Sequence, residues 1–508
     1  MRRYASFHNA EDCRGPLGLA MTFHAGFLQK ILVPAVLLAN VLFCPAAQGV
    51  STAKNTEVAE GKTKTRISAL PASSAVKNGV LKGGCGKVNI TPPLGIPLIG
   101  SYGKPSDDVL DELYAKAMVL DDGTNTVAIV SCDLLYTPLE EITGPVRRII
   151  KDKLGIPGQN VLVCATHTHS GPEVFTRSKL SPAEKDAAPK IDQAYLATLV
   201  EKIASAAMLA HRNMQEVRIG AAKGYLPEIV FNRRPKNDSG LVKMAFTLPP
   251  DVLATRKVET EPQGETKVTF AMPDEKTQWH FGPVDPEVCV LRVEDPNGKA
   301  VGSLINFGCH PVCIYPSLAT TISADYPAFA TRVVEQAEGG LCLFALGLAG
   351  DAVPLDRGAG PREQIGKALG DEALRRLQFV TTAGDVTLKA LKREVVFPAK
   401  KSTTEAEGNK TPESVTSEIQ VLRLGDIYIL GLPGEVLVEV GLPIKKRAGI
   451  EKLFIVSLSN DAIGYVSHSA AYDEGGYEPG TATNLAKGAG EIMIEQALEL
   501  LKEIKSSR

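Results

Sequence analysis

Two histidines stand two positions apart in Ala165-Thr166-His167-Thr168-His169-Ser170-Gly171-Pro172, directly after the apolar run Val161-Leu162-Val163-Cys164. Such a run reads as a buried strand that opens into a polar loop. Side chains two apart on a strand point to the same side, so His167 and His169 can reach one cavity at the strand's mouth. Neutral imidazole is a common ligand for zinc, and a second imidazole beside it is placed to accept a proton. Two histidines merely hydrogen-bonded at a loop would look the same. The rest of the chain, which holds only eight histidines in all, must supply the remaining ligands.

Three further stretches carry groups of the right chemistry. Ile305-Asn306-Phe307-Gly308-Cys309-His310-Pro311 is again a strand ending on a histidine, which serves either as a ligand or as a satisfied structural side chain. Leu432-Pro433-Gly434-Glu435 places a carboxylate after a strand, on the first turn of a predicted helix. There it is a partner of the helix dipole or a hard anionic ligand held by rigid elements. The loop Asn460-Asp461-Ala462-Ile463-Gly464-Tyr465-Val466 continues through Tyr472 to Gly476-Tyr477-Glu478-Pro479-Gly480. Tyrosines among glycines are phenols facing a cavity or ordinary packing residues.

The elements that must position these groups alternate along the chain. Strands are predicted over 113–120, 126–135, 160–169, 217–222, 287–293, 300–309, 341–348, 386–396, 419–424, 427–432 and 453–458. Helices are predicted over 140–154, 193–211, 327–338, 362–378, 435–447 and 490–505. Between Lys236 and Gly282 the pattern dissolves into a polar, proline-bearing insertion with Trp279 and His280, long enough to cover a site. The charged, Thr-rich patch from Lys400 to Glu418 reads as a surface loop. With no internal repeat, this alternation predicts an α/β fold of mixed β-sheet layers flanked by helices, in one large domain over 83–508.

A net charge of -2 leaves no basic footprint, which excludes nucleic acid as a partner. Residues 1–49 combine Arg2, Arg3, Arg14 and Lys30 with the apolar run Ile31–Phe43 and the small-residue stretch from Cys44 to Gly49. This reads as a secretory signal, with a retained N-terminal anchor as the alternative, so export to the periplasm or outside the cell is expected. Residues 50–82, rich in Ser, Thr, Ala, Lys and Glu, read as a disordered linker. Of nine cysteines, Cys132, Cys164, Cys289, Cys309 and Cys342 sit inside apolar runs, as buried free thiols rather than a disulfide framework.

Taken in order, the run Gly84-Cys85-Gly86-Lys87-Val88-Asn89-Ile90-Thr91-Pro92-Pro93, Ala165 to Pro172, Asn306 to Pro311, Leu432 to Glu435 and Gly464-Tyr465-Val466 resemble the motifs of the neutral/alkaline ceramidase family. Members of that family are zinc amidohydrolases that cleave the amide of N-acyl sphingoid bases. The resemblance implies a zinc ion held by His167, His310, Glu435 and Tyr465. It implies His169 as the proton-handling group, Tyr477 as support for the developing oxyanion, and Arg233, in Phe231-Asn232-Arg233-Arg234-Pro235, near the substrate. Asp133 and Asp325 fall at matching positions with supporting roles. The implied substrate is a lipid or small molecule, with peripheral membrane contact through that substrate.

The chain departs from the pattern at two points. The family's Gly-Asp-x-Ser-Pro serine is replaced by Val353 in Gly350-Asp351-Ala352-Val353-Pro354, so no step can use that hydroxyl, whereas attack by a zinc-activated water survives. With only a few residues after Leu501, the β-sandwich domain that follows in the family is expected to be missing. Two other readings stay open: a zinc hydrolase of another ester or amide, for example a sugar-derived one, and a binding protein without turnover.

Overall fold

Three β-sheets, each built on the same local plan, bring their strand ends to one place. The computed structural model describes residues 79–99, 104–172, 190–261, 264–273, 278–400 and 414–507. All of them fall within one compact unit, Ala75–Arg508. The expected signal or anchor and almost all of the expected linker lie outside the described residues.

The first sheet has the spatial order Val161–Ala165, Thr126–Cys132, Tyr114–Asp121, Lys82–Asn89 and Gln215–Glu216. The second runs Leu341–Leu346, Ala300–Phe307, Glu287–Glu294 and Arg218–Tyr225. The third runs Leu388–Pro398, Ser414–Leu424, Ile427–Gly431 and Leu453–Val456. In each, an antiparallel pair is followed by a helix and then by a strand that pairs parallel to the second of the two. The parallel pairs are Thr126–Cys132 with Val161–Ala165, Ala300–Phe307 with Leu341–Leu346, and Ile427–Gly431 with Leu453–Val456. The helices between are Gly144–Leu154, Asp325–Glu338 and Val438–Ala448. A parallel return needs such a crossover, and the helix covers one face of the sheet.

The sequence shows why. Val161–Ala165, Ile427–Gly431 and Leu453–Val456 are buried at every position, as strands covered on both faces must be. Leu162, Ile129, Leu304, Leu343, Leu422, Ile429 and Phe454 form one core between the three sheets. The helices Gly144–Leu154 and Lys190–Arg212 close the outer face of the first sheet over Val130, Val163 and Ala117. Gly155, with φ +74°, ends the first of these helices by donating its N–H to the Lys151 carbonyl.

The architecture is therefore the expected mixed α/β arrangement of sheets flanked by helices. Four local expectations are corrected. The strand predicted over 160–169 stops at Ala165, because the chain turns at His167, whose φ is +70°. The helix predicted from Glu435 starts at Val438; Glu435 and Val436 instead pair in parallel with Tyr465 and Val466. The insertion from Lys236 to Gly282 is not patternless. It holds the helix Pro250–Leu253 and the strands Lys257–Thr260 and Thr266–Thr269, which pair with each other and with Pro283–Val284. Ser414–Glu418, read as loop, belongs to the long strand Ser414–Leu424, while 401–413 lie outside the described residues. No described helix is long and apolar enough to cross a membrane.

Candidate metal centre

The loops that follow the parallel strands meet at a cluster of imidazoles. His167 comes two residues after Val161–Ala165 and His310 three residues after Ala300–Phe307, and Glu435 stands just beyond Ile427–Gly431. The main chain fixes each of them. The His167 N–H donates to the Leu134 carbonyl at 2.9 Å, the His310 N–H to the Ala352 carbonyl at 2.9 Å, and the Glu435 N–H to the Gly464 carbonyl at 3.0 Å. The left-handed backbone of His167 costs of order 1–3 kcal/mol in a non-glycine residue, and such strain persists only where the surroundings impose it.

Both imidazoles are oriented through Nδ1. His167 Nδ1 lies 3.0 Å from the Leu135 carbonyl oxygen, and His310 Nδ1 contacts the Ala349 carbonyl oxygen. A carbonyl only accepts, so each Nδ1 carries the proton and each neutral ring presents a lone pair at Nε2. These two Nε2 atoms stand 3.2 and 3.1 Å from the same Glu435 oxygen, Oε2. All three side chains are at most 3% exposed. Two lone pairs and a carboxylate oxygen, buried together, repel one another unless a cation lies among them.

Protons are a poor answer at His310, where burial and the nearby Arg233 push the imidazole down to about 4. Burial would push the Glu435 carboxyl up, and only positive charge at His167 and His310 holds it well below the usual carboxylate range; a cation among the three would supply that charge with both rings neutral. His167 Nε2 also lacks a hydrogen-bond partner. Oriented imidazoles with an anionic oxygen and a nearby phenol are a donor set that suits zinc.

The other expected residues surround this point. The Tyr465 hydroxyl lies 3.4 Å from His310 Nε2 and accepts from Arg233 Nη2 at 3.2 Å. Parallel pairing with Glu435 places it there, and burial together with Glu435 pushes the phenol well above its ordinary value. The His169 ring centroid is 4.9 Å from that of His167 and 5.7 Å from that of His310. His169 Nε2 is buried without a hydrogen-bond partner. The three imidazoles offer ligand atoms within 4.8 Å of one another, so His169 is near enough to share the cation as well as to serve beside it. Burial, with His167 and His310, holds the His169 imidazole well below its usual value, so the ring is neutral at neutral pH. Tyr477 is farther out: 39% exposed, its ring is 5.6 Å from that of Tyr465.

Arg233 is 4% exposed and spans the site, giving Nη2 to the Gly350 carbonyl at 2.9 Å and Nε to Glu478 at 2.7 Å. Asp133 accepts from the Tyr114 N–H at 2.8 Å and from the Thr166 hydroxyl at 3.2 Å, bracing the chain just before His167. Asp325 accepts from the Ile314 and Tyr326 N–H groups at 2.9 and 2.7 Å, on the segment that follows His310. Val353 is fully buried in the short strand Ala352–Pro354, opposite Phe231. The seven described cysteines are all free, and burial pushes the Cys309 and Cys313 thiols well above their usual value, which makes them inert.

Sequence reasoning missed two residues of the site. Tyr136 donates its hydroxyl to Glu435 Oε1 at 2.9 Å, and nothing in Leu134-Leu135-Tyr136 signals that role. Glu478 pairs with both Arg233 and Arg234; the adjacent arginines announce a buried acid, without saying which.

No family model matches the chain. Its structure is similar to that of a neutral ceramidase from Pseudomonas aeruginosa, with a TM-score of 0.63 and 19% identity over 84% of this chain and 75% of that one. It is likewise similar to a ceramidase complexed with C2, with a TM-score of 0.61 and 19% identity over 84% of this chain and 76% of that one. At this identity the likeness establishes the fold, and the chain has a ceramidase-like α/β architecture.

Proposed function

We propose that the chain is an exported zinc-dependent amidohydrolase that cleaves the amide of an N-acyl sphingoid base or a similar N-acyl lipid. The observation that carries this reading is the convergence of two Nε2 lone pairs on one Glu435 oxygen in a buried site. The fold shared with the ceramidases and the ordered motifs support it. Export rests on the N-terminal segment alone.

His167, His310, Glu435 and Tyr465 would hold the zinc. Zinc so bound supplies Lewis acidity toward a carbonyl and brings the pKa of a water to about 7. His169, neutral and with a free Nε2, takes the proton from the attacking water and returns it to the departing amine, so amide plus water becomes carboxylic acid plus amine. The Tyr477 hydroxyl donates to the oxyanion as it forms. Arg233, locked by Glu478 and Gly350, holds the Tyr465 phenol in place and faces the substrate. No step needs a hydroxyl at position 353.

The test joins metal analysis to a substrate screen. The purified chain should contain zinc and release fatty acid from a short fluorescent ceramide; a metal-free, inactive protein would refute the proposal. A second reading, a zinc hydrolase of another amide or an ester, is favoured by Val353, which puts a buried aliphatic side chain where the family has a hydroxyl. Turnover of acyl esters or N-acyl sugars with ceramide untouched would establish it.

A further inference from the structure

We propose that Arg357 is a specificity-determining residue that selects substrates bearing an oxyanion, a carboxylate or a phosphate, close to the scissile bond. This rests on the hydrolase reading above and narrows its substrate class.

Arg357 joins two walls of the site. Its Nη2 donates to the Phe246 carbonyl at 2.8 Å and its Nη1 to the Tyr315 carbonyl at 3.4 Å. Both residues face the centre. The Tyr315 ring is 5.7 Å from that of His169. The Phe246 ring is 5.9 Å from that of Tyr477, and the Arg233 guanidinium lies 5.4 Å from its centroid. Phe246 thus stands between two guanidinium groups that differ in one respect. Arg233 is neutralised by Glu478 at 2.7 Å, whereas Arg357 forms no ion pair among the described residues. Its Nε is buried without a hydrogen-bond partner.

Asp325 acts on Arg357 from a distance but makes no ion pair with it, both its oxygens being turned to main-chain N–H donors. Burial and the charge of Arg233 hold the Arg357 guanidinium below its ordinary value, and the opposing pull of Cys313, Asp325 and Tyr315 only partly offsets them. A guanidinium carries five N–H donors, and two carbonyls leave donors unused on the Nη atoms. Its planar fork suits a carboxylate or a phosphate, which would supply the missing charge. A neutral N-acyl sphingoid base offers it nothing. Pinning Phe246 and Tyr315 accounts for the two carbonyl contacts but not for a guanidinium without an ion pair and with an unpartnered Nε.

The experiment uses the full chain with its metal and two matched substrate pairs. N-dodecanoylserine is set against N-dodecanoylserinol for the carboxylate, and N-dodecanoylethanolamine phosphate against N-dodecanoylethanolamine for the phosphate. An anionic member should be hydrolysed with a kcat/KM about tenfold or more above that of its neutral partner, and the pair that shows it identifies the oxyanion. In Arg357→Met that preference should vanish, through loss on the anionic substrate with the neutral one within about twofold and zinc content unchanged. Arg357→Lys should keep part of it, retaining the charge without the fork. Wild-type preference for the neutral members overturns the assignment while leaving the hydrolase reading intact, and needs no variant to fold. Equal losses on both members in Arg357→Met also overturn it and leave Arg357 as a brace. Hydrolysis of none of the four, with the short ceramide still cleaved, overturns this assignment alone; if the ceramide is untouched as well, the hydrolase reading falls with it.

Discussion

Arg233 and Glu478 meet at 2.7 Å with almost no solvent access, the arginine 4% and the glutamate 0% exposed. The other Glu478 oxygen holds Arg234 at 2.6 Å, so one carboxylate anchors two adjacent guanidinium groups. Arg233 in turn reaches the Tyr465 hydroxyl, which makes Glu478 a positioning residue for the phenol beside His310.

Removing that carboxylate strands the buried Arg233 and leaves Arg234 only its longer pair with Glu474 at 3.5 Å. Glu478→Gln should therefore destabilise the fold by about 3–5 kcal/mol in denaturant unfolding, the range for breaking a buried pair. If Glu478 acts on turnover through Arg233, kcat in the double variant Arg233→Met, Glu478→Gln should match that of Arg233→Met alone. Additive losses would show two independent roles.

His169→Ala should lower kcat by about 10²–10⁴, the usual contribution of a positioned proton carrier, with zinc still bound. Loss of zinc in that variant would make His169 a ligand, a role its distance to His167 and His310 allows.

Gly434 should prove essential to the placing of Glu435. Its φ is +82°, and a Cβ there would lie 2.5 Å from the Gly464 carbonyl oxygen, on the segment that pairs Glu435 with Tyr465. A left-handed conformation alone costs a side chain about 1–2 kcal/mol. Gly434→Ala should weaken zinc affinity by about 10–100-fold, as disturbance around metal ligands does, measured by competition with a chelator. Unchanged affinity would show that the pairing does not position the carboxylate.

Asp133 gives a pH-dependent signature in stability. Burial pushes its carboxyl up to about 6 from a usual 3.8, against the pull of Lys116. The folded state therefore holds this proton more tightly than the unfolded chain does. The sign follows: Asp133 contributes most stability below the unfolded value, loses it as pH rises through about 4 to 6, and leaves a cost of order 3 kcal/mol above that. In unfolding curves, Asp133→Asn should gain on the wild type as pH rises through this window and hold a constant offset beyond it. A pH-independent difference would contradict the shift.

Much of this architecture is legible in the sequence because parallel, doubly buried strands are unbroken apolar runs. Val161–Ala165 and Leu453–Val456 announce themselves in that way. The two-residue strand at Glu435 does not, since two residues carry no periodicity and only the fold supplies their partner, Tyr465. For the same reason the left-handed turn at His167 is invisible: no glycine or asparagine marks it, and the converging strands impose it. The histidines, glutamate and tyrosines could be named from residue type and the order of motifs. Tyr136, Glu478 and Arg357 could not, because their roles depend on contacts across about 299, 245 and 111 positions of chain.

Metal content after dialysis, in the wild type and in His310→Ala, tests the central claim most directly. The site predicts about one zinc per wild-type chain and little in the variant, since removing one imidazole leaves His167 as the one imidazole facing Glu435 Oε2. Less than about half an equivalent in the wild type, or equal zinc in both proteins, would contradict a metal centre at His167, His310 and Glu435.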